Sequence, residues 1–224
     1  MIDLRLCTVE EAIADVRGAA LIVADPPWTY TQTGLTGAAC NHYTLSSVAT
    51  IAANLDAAHD CAASTARLAV WSTWPLFAEW TEATRGWRWG GVLSGAAWVK
   101  NDRPGMGHHW SGDSEPVLLY TRGMPMIERS ANLSNAHASP RSAHSEKPAE
   151  WMRGWLRRWT RPGDLVLDLY AGLAPLAHAC AVEGRDYIGA EADPERHARA
   201  IEGLRASGIV RSAPTVRQQG LFSL

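Results

Sequence analysis

The segment from residue 165 to residue 191 restricts the possible fold more than any other part of the chain. Its pattern predicts a strand, a tight turn, a helix and a second strand, at 165–169, 170–174, about 175–183 and 187–190. Two strands joined through a helix form the unit from which parallel sheets are built. The sequence therefore predicts an α/β fold with a mostly parallel sheet flanked by helices.

Acidic residues stand where these two strands end. Asp168 interrupts an otherwise apolar strand, and a lone carboxylate in a buried strand is costly unless it has a partner. Glu191 follows 23 residues later, close to the ~20 residues typical of nucleotide-binding units, in which the acid accepts hydrogen bonds from ribose hydroxyls. For Asp193 two roles are open, contact with the same ligand and capping of a helix that begins at Pro194.

A second motif, Asp25-Pro26-Pro27-Trp28, follows the apolar run from Ala19 to Val23, which predicts a short buried strand. The motif therefore lies at a strand end, where open α/β sheets bind ligands. The amino nitrogen of adenine is a poor nucleophile, and two acceptors aimed at its hydrogens can return the lone pair to it. Asp25 and the Pro26 carbonyl can supply them, since prolines lack N–H donors that would compete.

The indole of Trp28 would then offer a flat face to a base lifted out of its stack. The alternative interpretation is that the two prolines merely end the strand and that Trp28 belongs to the core.

Together the two motifs resemble the Asp-Pro-Pro-Trp family of adenine-N(6) methyltransferases, the relatives of the messenger-RNA adenine methyltransferase ("MT-A seventy") and of many bacterial and phage DNA enzymes. The resemblance extends from about Leu21 to Arg199. It implies a Rossmann-like class I methyltransferase fold, S-adenosylmethionine as cofactor and a flipped adenine as target. The target motif precedes the cofactor motif, which resembles the circularly permuted order of the β class of amino-methyltransferases.

The resemblance also implies roles for residues near the cofactor. The segment His144 to Pro148 resembles the family's (His-)Ser-x-Lys-Pro box, so that Lys147 would meet the carboxylate of S-adenosylmethionine. Without the resemblance, Lys147 would be interpreted as a surface lysine. The expected cofactor-binding residues are Ser145, Lys147, Asp168, Tyr170, Ala171, Gly172, Glu191 and Asp193.

One departure concerns the glycine turn. The family's second glycine is replaced here by Ala174, which leaves less room for a pyrophosphate. A methyltransferase can tolerate this change, because S-adenosylmethionine has no pyrophosphate. A nicotinamide dehydrogenase binds a dinucleotide and would need the second glycine, so the change argues against that class.

The expected substrate-binding residues lie in two proposed recognition loops, at about 29–41 and 101–143, and near them. They are Tyr30, Tyr43, Lys100, Asn101, Arg122, Arg129 and Arg141. Tyr43 belongs to a segment that resembles the family's Tyr-x-x-(Met/Leu)-Ser, and it either lines the base pocket or anchors the loop. The segment from Arg122 to Ala143 is either a phosphate-contacting loop or a solvated connector.

Length and composition limit the remaining possibilities. The 224 residues suffice for one methyltransferase domain, 1–210, followed by a tail, 211–224. The net charge of −2 gives no basic signature of tight, autonomous duplex binding. In the tail, Gln218, Leu221 and Phe222 resemble the peptide by which bacterial proteins dock on the replication sliding clamp.

Other features point away from metals and membranes. The four cysteines show neither metal-type spacing nor a disulfide framework, which suits a cytoplasmic protein. His108 and His109 lack the further ligands that a metal site needs. No apolar run is long enough to span a bilayer, and no leader segment is recognisable.

The expected function is methylation of adenine in DNA. RNA is the second choice of substrate, and cytosine-N(4) methylation ranks third, because that class usually begins its motif with Ser and ends it with Tyr or Phe. A catalytically silent nucleic-acid-binding subunit is the alternative from another class, although silent relatives tend to lose the acid. The sequence does not reveal the recognition site, the oligomeric state or whether the enzyme belongs to a restriction system or protects a phage genome.

Overall fold

A computed structural model describes residues 1–29, 46–102, 112–128, 133–140 and 147–210. Within these residues eight strands form one sheet: β1 (Ile2–Leu6), β2 (Ala19–Ala24), β3 (Ala62–Trp71), β4 (Ser94–Lys100), β5 (Ser114–Arg122), β6 (Ala136–Ser139), β7 (Leu165–Asp168) and β8 (Asp186–Glu191). The α-helices are α1 (Val9–Asp15), α2 (Val48–Ala57), α3 (Phe77–Ala83), α4 (Ala149–Trp159), α5 (Pro175–Glu183) and α6 (Pro194–Ala206).

The strand order is β1-β8-β7-β2-β3-β5-β4-β6. Among the described pairs, only the two that involve β5 are antiparallel. Seven strands therefore end at one edge of the sheet, which we call the carboxyl edge, and β5 begins there. The predicted mostly parallel sheet flanked by helices is confirmed.

Each face of β2 contributes to a different half of the core. Ile22 and Ala24 pack with α1 and α2, whereas Leu21 and Val23 pack with α4 and α5. This two-sided burial explains why β2 is an uninterrupted apolar run, as expected of a central parallel strand.

Tryptophans fill much of the half of the core that lies between the sheet and α4. Tryptophans recur on one face of α4, and they are buried at Trp151 and Trp155 and half-buried at Trp159. The rings of Trp151 and Trp155 lie 5.7 and 5.6 Å from that of Trp71 at the end of β3. The stripe therefore packs α4 against the sheet and fixes the start of that helix beside the carboxyl edge.

Capping residues mark the first turns of two helices. The capping box of α1 is present, because Thr8 and Glu11 exchange side-chain to backbone hydrogen bonds. Ser47 caps α2. The segment before α3 forms a 3-10 turn, Trp74–Leu76, with Pro75 in its first turn, and the chain becomes α-helical at Phe77.

Two strands at the margins were not expected. β1 pairs with β8, and the ring of His197 on α6 hydrogen-bonds the carbonyl of Leu4 at 3.1 Å. β6 pairs with β4 inside the segment that was expected to be a recognition loop. No described helix is both long and apolar enough to cross a bilayer.

Candidate functional site

Four charged side chains form a network at the carboxyl edge. Asp25, directly after β2, places its Oδ2 atom 2.8 Å from Nζ of Lys147. The same ammonium lies 3.2 Å from Oε2 of Glu115, the second residue of β5, and Lys100 at the end of β4 donates to Oε1 of Glu115. Charges alternate along this ion network of Asp25, Lys147, Glu115 and Lys100, so each buried charge has an opposite neighbour.

Packing fixes the position of Lys147. It precedes Pro148, the residue from which α4 starts, and its Nζ lies 5.1 Å from the ring centroid of Trp71. Its side chain is only 10% exposed, compared with 34% for Asp25. Lys147 is thus a buried cation and not a surface lysine, and Asp25 is the more accessible of its partners.

The network sets the charge states of its members. Burial lowers the pKa of Lys147, but Asp25 and Glu115 outweigh this and hold the pKa above its usual value. Burial raises the pKa of Glu115, yet Lys147 and Lys100 bring it below its usual value. For Asp25 burial dominates and raises the pKa, which Lys147 only partly offsets.

The backbone of the target motif differs from the expectation. The Pro26 carbonyl was expected to have no competing donor, but the backbone N–H of Trp28 donates to it at 2.9 Å. A carbonyl oxygen has two lone pairs, so one remains for another donor. Pro27 is held in turn by the N–H of Ser46 at 3.0 Å.

Trp28 does not offer an open stacking face. Its side chain belongs to the core with 5% of the residue exposed, and its Nε1 donates to the Trp71 carbonyl at 3.2 Å. The ring meets Trp80 edge to face at 5.1 Å. The structure thus places Trp28 in the core, where its indole anchors the loop.

The turn after β7 is tied to the end of β8 through Glu191. The carboxylate accepts the N–H of Gly172 at 2.8 Å and that of Asp193 at 2.9 Å. Gly172 has a φ of +56°, and Ala174, where the family has its second glycine, adopts +57°. The turn thus keeps the left-handed conformation that glycine favours, and Glu191 keeps acceptor capacity for a ligand hydroxyl.

Asp168 has a protein partner. It is 5% exposed, and the hydroxyl of Tyr187 donates to its Oδ2 at 3.1 Å. Burial raises its pKa to about 7 despite this hydrogen bond. A Cβ atom on Gly189 would lie 2.3 Å from the Tyr187 hydroxyl oxygen, so the glycine provides the room in which the phenol reaches Asp168.

The remaining expected cofactor residues have structural contacts. The Oδ1 of Asp193 accepts the N–H groups of Glu195 and Arg196 at 2.8 and 3.0 Å, so it caps α6. Ala171 is buried and donates its N–H to the Ala190 carbonyl at 2.9 Å. Burial raises the pKa of the Tyr170 phenol to about 12, which keeps it neutral.

The expected substrate residues are only partly brought together. Lys100 belongs to the ion network, and Asn101 lies exposed just after it. Arg122 is a correction: it ends β5 at the opposite edge of the sheet, and its guanidinium donates to the carbonyls of His59 and Ala62, both at 2.9 Å. The antiparallel direction of β5 carries it away from Asp25.

Several expectations fall outside the described residues. They are Tyr30, Tyr43, His108, His109, Arg129, Arg141, Ser145, Gln218, Leu221 and Phe222.

Glu115 is the residue of the network that sequence reasoning missed. It begins an apolar strand beside Pro116, and the argument applied to Asp168 holds here as well, since a lone carboxylate in such a strand needs a partner. That cost is the signal that would have marked it.

A family model described as DNA methylase matches residues 81–202, which is more than half of the chain. No curated protein sequence matches the chain.

Solved structures share the fold. M1.HpyAVI in complex with S-adenosylmethionine aligns with a TM-score of 0.71 at 18% identity, covering 91% of this chain and 100% of that one. TTHA0409 of Thermus thermophilus, a proposed DNA modification methylase complexed with S-adenosyl-L-methionine, gives 0.69 at 19% identity, with coverage of 92% and 94%. The cytosine-N4-specific PvuII DNA methyltransferase gives 0.71 at 14% identity, with coverage of 89% and 85%. The class I methyltransferase fold expected from the sequence is confirmed.

Proposed function

The chain belongs to the N6/N4 DNA methylase family, and we propose that it transfers a methyl group from S-adenosylmethionine to the exocyclic amino group of adenine in DNA. The observation that carries the proposal is the position of Asp25. Asp25 directly follows the central strand of the sheet, and its carboxylate, which is partly exposed, precedes a proline carbonyl with a free lone pair.

The residues on the other side of β2 fit the cofactor. Glu191 has acceptor capacity for ribose hydroxyls, and Asp168 is a buried acid suited to an ammonium group. Apart from Gly172 and its chain neighbours, no heavy atom of the described residues lies within 4 Å of a Cβ built on Gly172. S-adenosylmethionine supplies an electrophilic methyl group when bound. We assign Lys147 to the cofactor's carboxylate, because it is the buried cation between the two halves of the site.

Asp25 and Pro26 act on the target amino group. The Asp25 carboxylate accepts one hydrogen and the Pro26 carbonyl the other, which directs the nitrogen lone pair out of the ring plane. Holding the two reactants in this orientation can contribute up to roughly 7–11 kcal/mol. Asp25 need not be a strong base, since the nitrogen becomes acidic once alkylated and its proton can leave afterwards.

The order of residues in the target motif favours adenine. The motif begins with Asp25 and ends with Trp28, whereas cytosine-N(4) enzymes usually have Ser first and Tyr or Phe last. The fold alone does not decide, since the PvuII cytosine-N4 enzyme aligns as well as M1.HpyAVI does.

Mass spectrometry of nucleosides tests the proposal. The protein and S-adenosylmethionine are incubated with unmethylated duplex DNA and, separately, with RNA, and the digested products are analysed. We expect N(6)-methyladenine in DNA. N(4)-methylcytosine would overturn the base, methyladenine in RNA alone would overturn the polymer, and cofactor binding without any product would indicate a silent subunit.

We also propose how this domain finds DNA. Residues 1–210 form one domain whose specificity comes from the segments at 29–41 and 101–143, with Arg129 and Arg141 on phosphates. The second segment also contains β5 and β6. The tail docks on a sliding clamp through Gln218, Leu221 and Phe222, which raises the local DNA concentration for a chain of net charge −2. A calorimetric titration of a bacterial clamp with peptide 211–224 should show binding that Phe222→Ala abolishes; absence of binding would refute the docking.

A further inference from the structure

Trp74 is an exposed tryptophan in a tryptophan-rich core. Its residue surface is 55% exposed, whereas the other described tryptophans are buried or half-buried. It follows β3, the neighbour of β2, and therefore lies at the carboxyl edge with Asp25. The exposed indole therefore leaves aromatic surface at this edge that is available to stack on a ligand.

The ring is held in place although it is exposed. Its Nε1 donates to Oγ of Ser114 at 3.1 Å, and Phe77 lies alongside with 6.4 Å between ring centroids and an interplanar angle of 35°. The polar atom of the indole is thus satisfied by the protein, and the apolar face remains for a partner. A ring that is already oriented loses little conformational freedom on binding.

A short path of contacts joins Trp74 to the target carboxylate. Ser114 is the chain neighbour of Glu115, which pairs with Lys147, which pairs with Asp25. Ser114 stands on β5, and β5 is separated from β2 only by β3. Two strand spacings amount to about 10 Å, and they lead away from β7 and β8, where the cofactor residues lie.

We propose that Trp74 is a stacking platform for a base that flanks the target adenine in the bound strand. The inference rests on the proposed function, since it assumes that the target amino group meets Asp25. The two strand spacings, about 10 Å, separate β2, which leads to Asp25, from β5, to which Ser114 ties the Trp74 ring. A spacing of this size suits a neighbouring nucleotide better than the target itself. Extruding one base removes a stacking partner from its neighbours, and an indole face can replace it for any base, because every base has a π-face.

Substitutions at Trp74 separate stacking from simple apolar contact. Trp74→Leu keeps an apolar side chain without a π-face, and Trp74→Phe keeps an aromatic ring. Met124→Ala is the matched control, because Met124 is 94% exposed and follows β5 at the opposite edge. Ser114→Ala removes the hydrogen bond that orients the ring and keeps the ring itself.

Two measurements are made on each variant. One is the KM for unmethylated DNA in the methyl-transfer assay, with the Kd for S-adenosylmethionine as a check on folding. The other is fluorescence anisotropy with a labelled single-stranded oligonucleotide. We expect Trp74→Leu to raise both the KM for DNA and the Kd for the oligonucleotide by roughly 10- to 100-fold, in line with loss of one stacked base, with cofactor affinity unchanged.

The other variants should differ from one another in how much affinity for DNA they lose. Trp74→Phe should retain most of the affinity, Ser114→Ala should lose a few-fold, and Met124→Ala should behave as the wild type. Equal losses for Leu and Phe, or none for Leu, would overturn the stacking role.

The test distinguishes failure of the inference from failure of the proposed function. If the wild type methylates adenine in DNA and Trp74→Leu is unaffected, the stacking role is wrong and the function stands. If the wild type forms no methylated base but binds the oligonucleotide through Trp74, the function is wrong and the stacking surface stands.

Discussion

At the scale of single residues, burial decides the charge of Asp168. It is 5% exposed, and its pKa is raised to about 7 by burial. The pKa of an aspartate in an unfolded chain is about 3.9. Between about pH 4 and pH 7 the folded state therefore binds more protons than the unfolded state. The stability contributed by this group therefore falls as the pH rises through that window.

The pH dependence of the stability contributed by Asp168 gives a prediction for Asp168→Asn. Because asparagine has no charge to bury, the free energy of unfolding of the variant relative to the wild type should rise from pH 4.5 to pH 7.5. Urea unfolding at several pH values measures it, with Asp113→Asn, at an exposed acid, as the control for loss of one charge. A difference that stays constant with pH would contradict the raised pKa.

Several residues of the candidate site could be predicted from the sequence. Asp25, Asp168 and Glu191 were placed at one edge of a parallel sheet, because each stands at the end of a strand with a clear local pattern. Lys147 was assigned to the site only through the family resemblance, since its local sequence would have made it a surface lysine. Glu115 was missed although a lone carboxylate in an apolar strand was a local signal. Arg122 was misplaced because β5 runs in the reversed direction. No local pattern encodes the direction of a strand that is fixed by pairing with distant neighbours.

At the scale of elements, Asp193 supports a whole helix. Its carboxylate accepts two N–H groups in the first turn of α6, and α6 buries His197, Ala200, Ile201 and Leu204 against the sheet. Asp193→Ala should lower the free energy of unfolding by about 1 kcal/mol.

A conservative substitution separates the cap from a contact with cofactor. Asp193→Ser keeps an acceptor for the backbone N–H groups and should restore most of that stability, as thermal unfolding can show. If Asp193 only caps, both variants should bind S-adenosylmethionine as the wild type does. Loss of cofactor affinity in a stably folded Asp193→Ser would show that the carboxylate contacts the cofactor.

Elements with long apolar patterns or clear turns were predictable to within a few residues, as α5 and β2 show. β6 was not, because it has no buried residue and forms where β4 offers hydrogen bonds. β1 was overlooked although its sequence, Ile-Asp-Leu-Arg-Leu, alternates apolar and polar residues as a strand does.

At the scale of the whole molecule, β2 divides the sheet into two parts. The strands β7, β8 and β1 lie on one side with the candidate cofactor residues, and β3, β5, β4 and β6 lie on the other with Glu115, Lys100 and Trp74. After β1, which joins the cofactor side, the chain forms β2 and the target side and then returns through α4 to complete the cofactor side. Asp25 and Lys147 meet at the boundary, so one ion pair connects the two.

We assign Asp25 to the target base and Lys147 to the cofactor. In Asp25→Ala, Glu115 remains within 3.2 Å of the Lys147 ammonium, so the cation keeps a partner and its place. Cofactor binding should therefore survive the loss of Asp25, whereas Lys147→Met should weaken it strongly.

The decisive measurement is a calorimetric titration of Asp25→Ala with S-adenosylmethionine, followed by a methyl-transfer assay on the same sample. We expect a Kd within a few-fold of the wild type together with loss of methylated adenine. If cofactor binding disappears along with activity in a folded variant, Asp25 is first of all a cofactor ligand, and the division of the site proposed here is wrong.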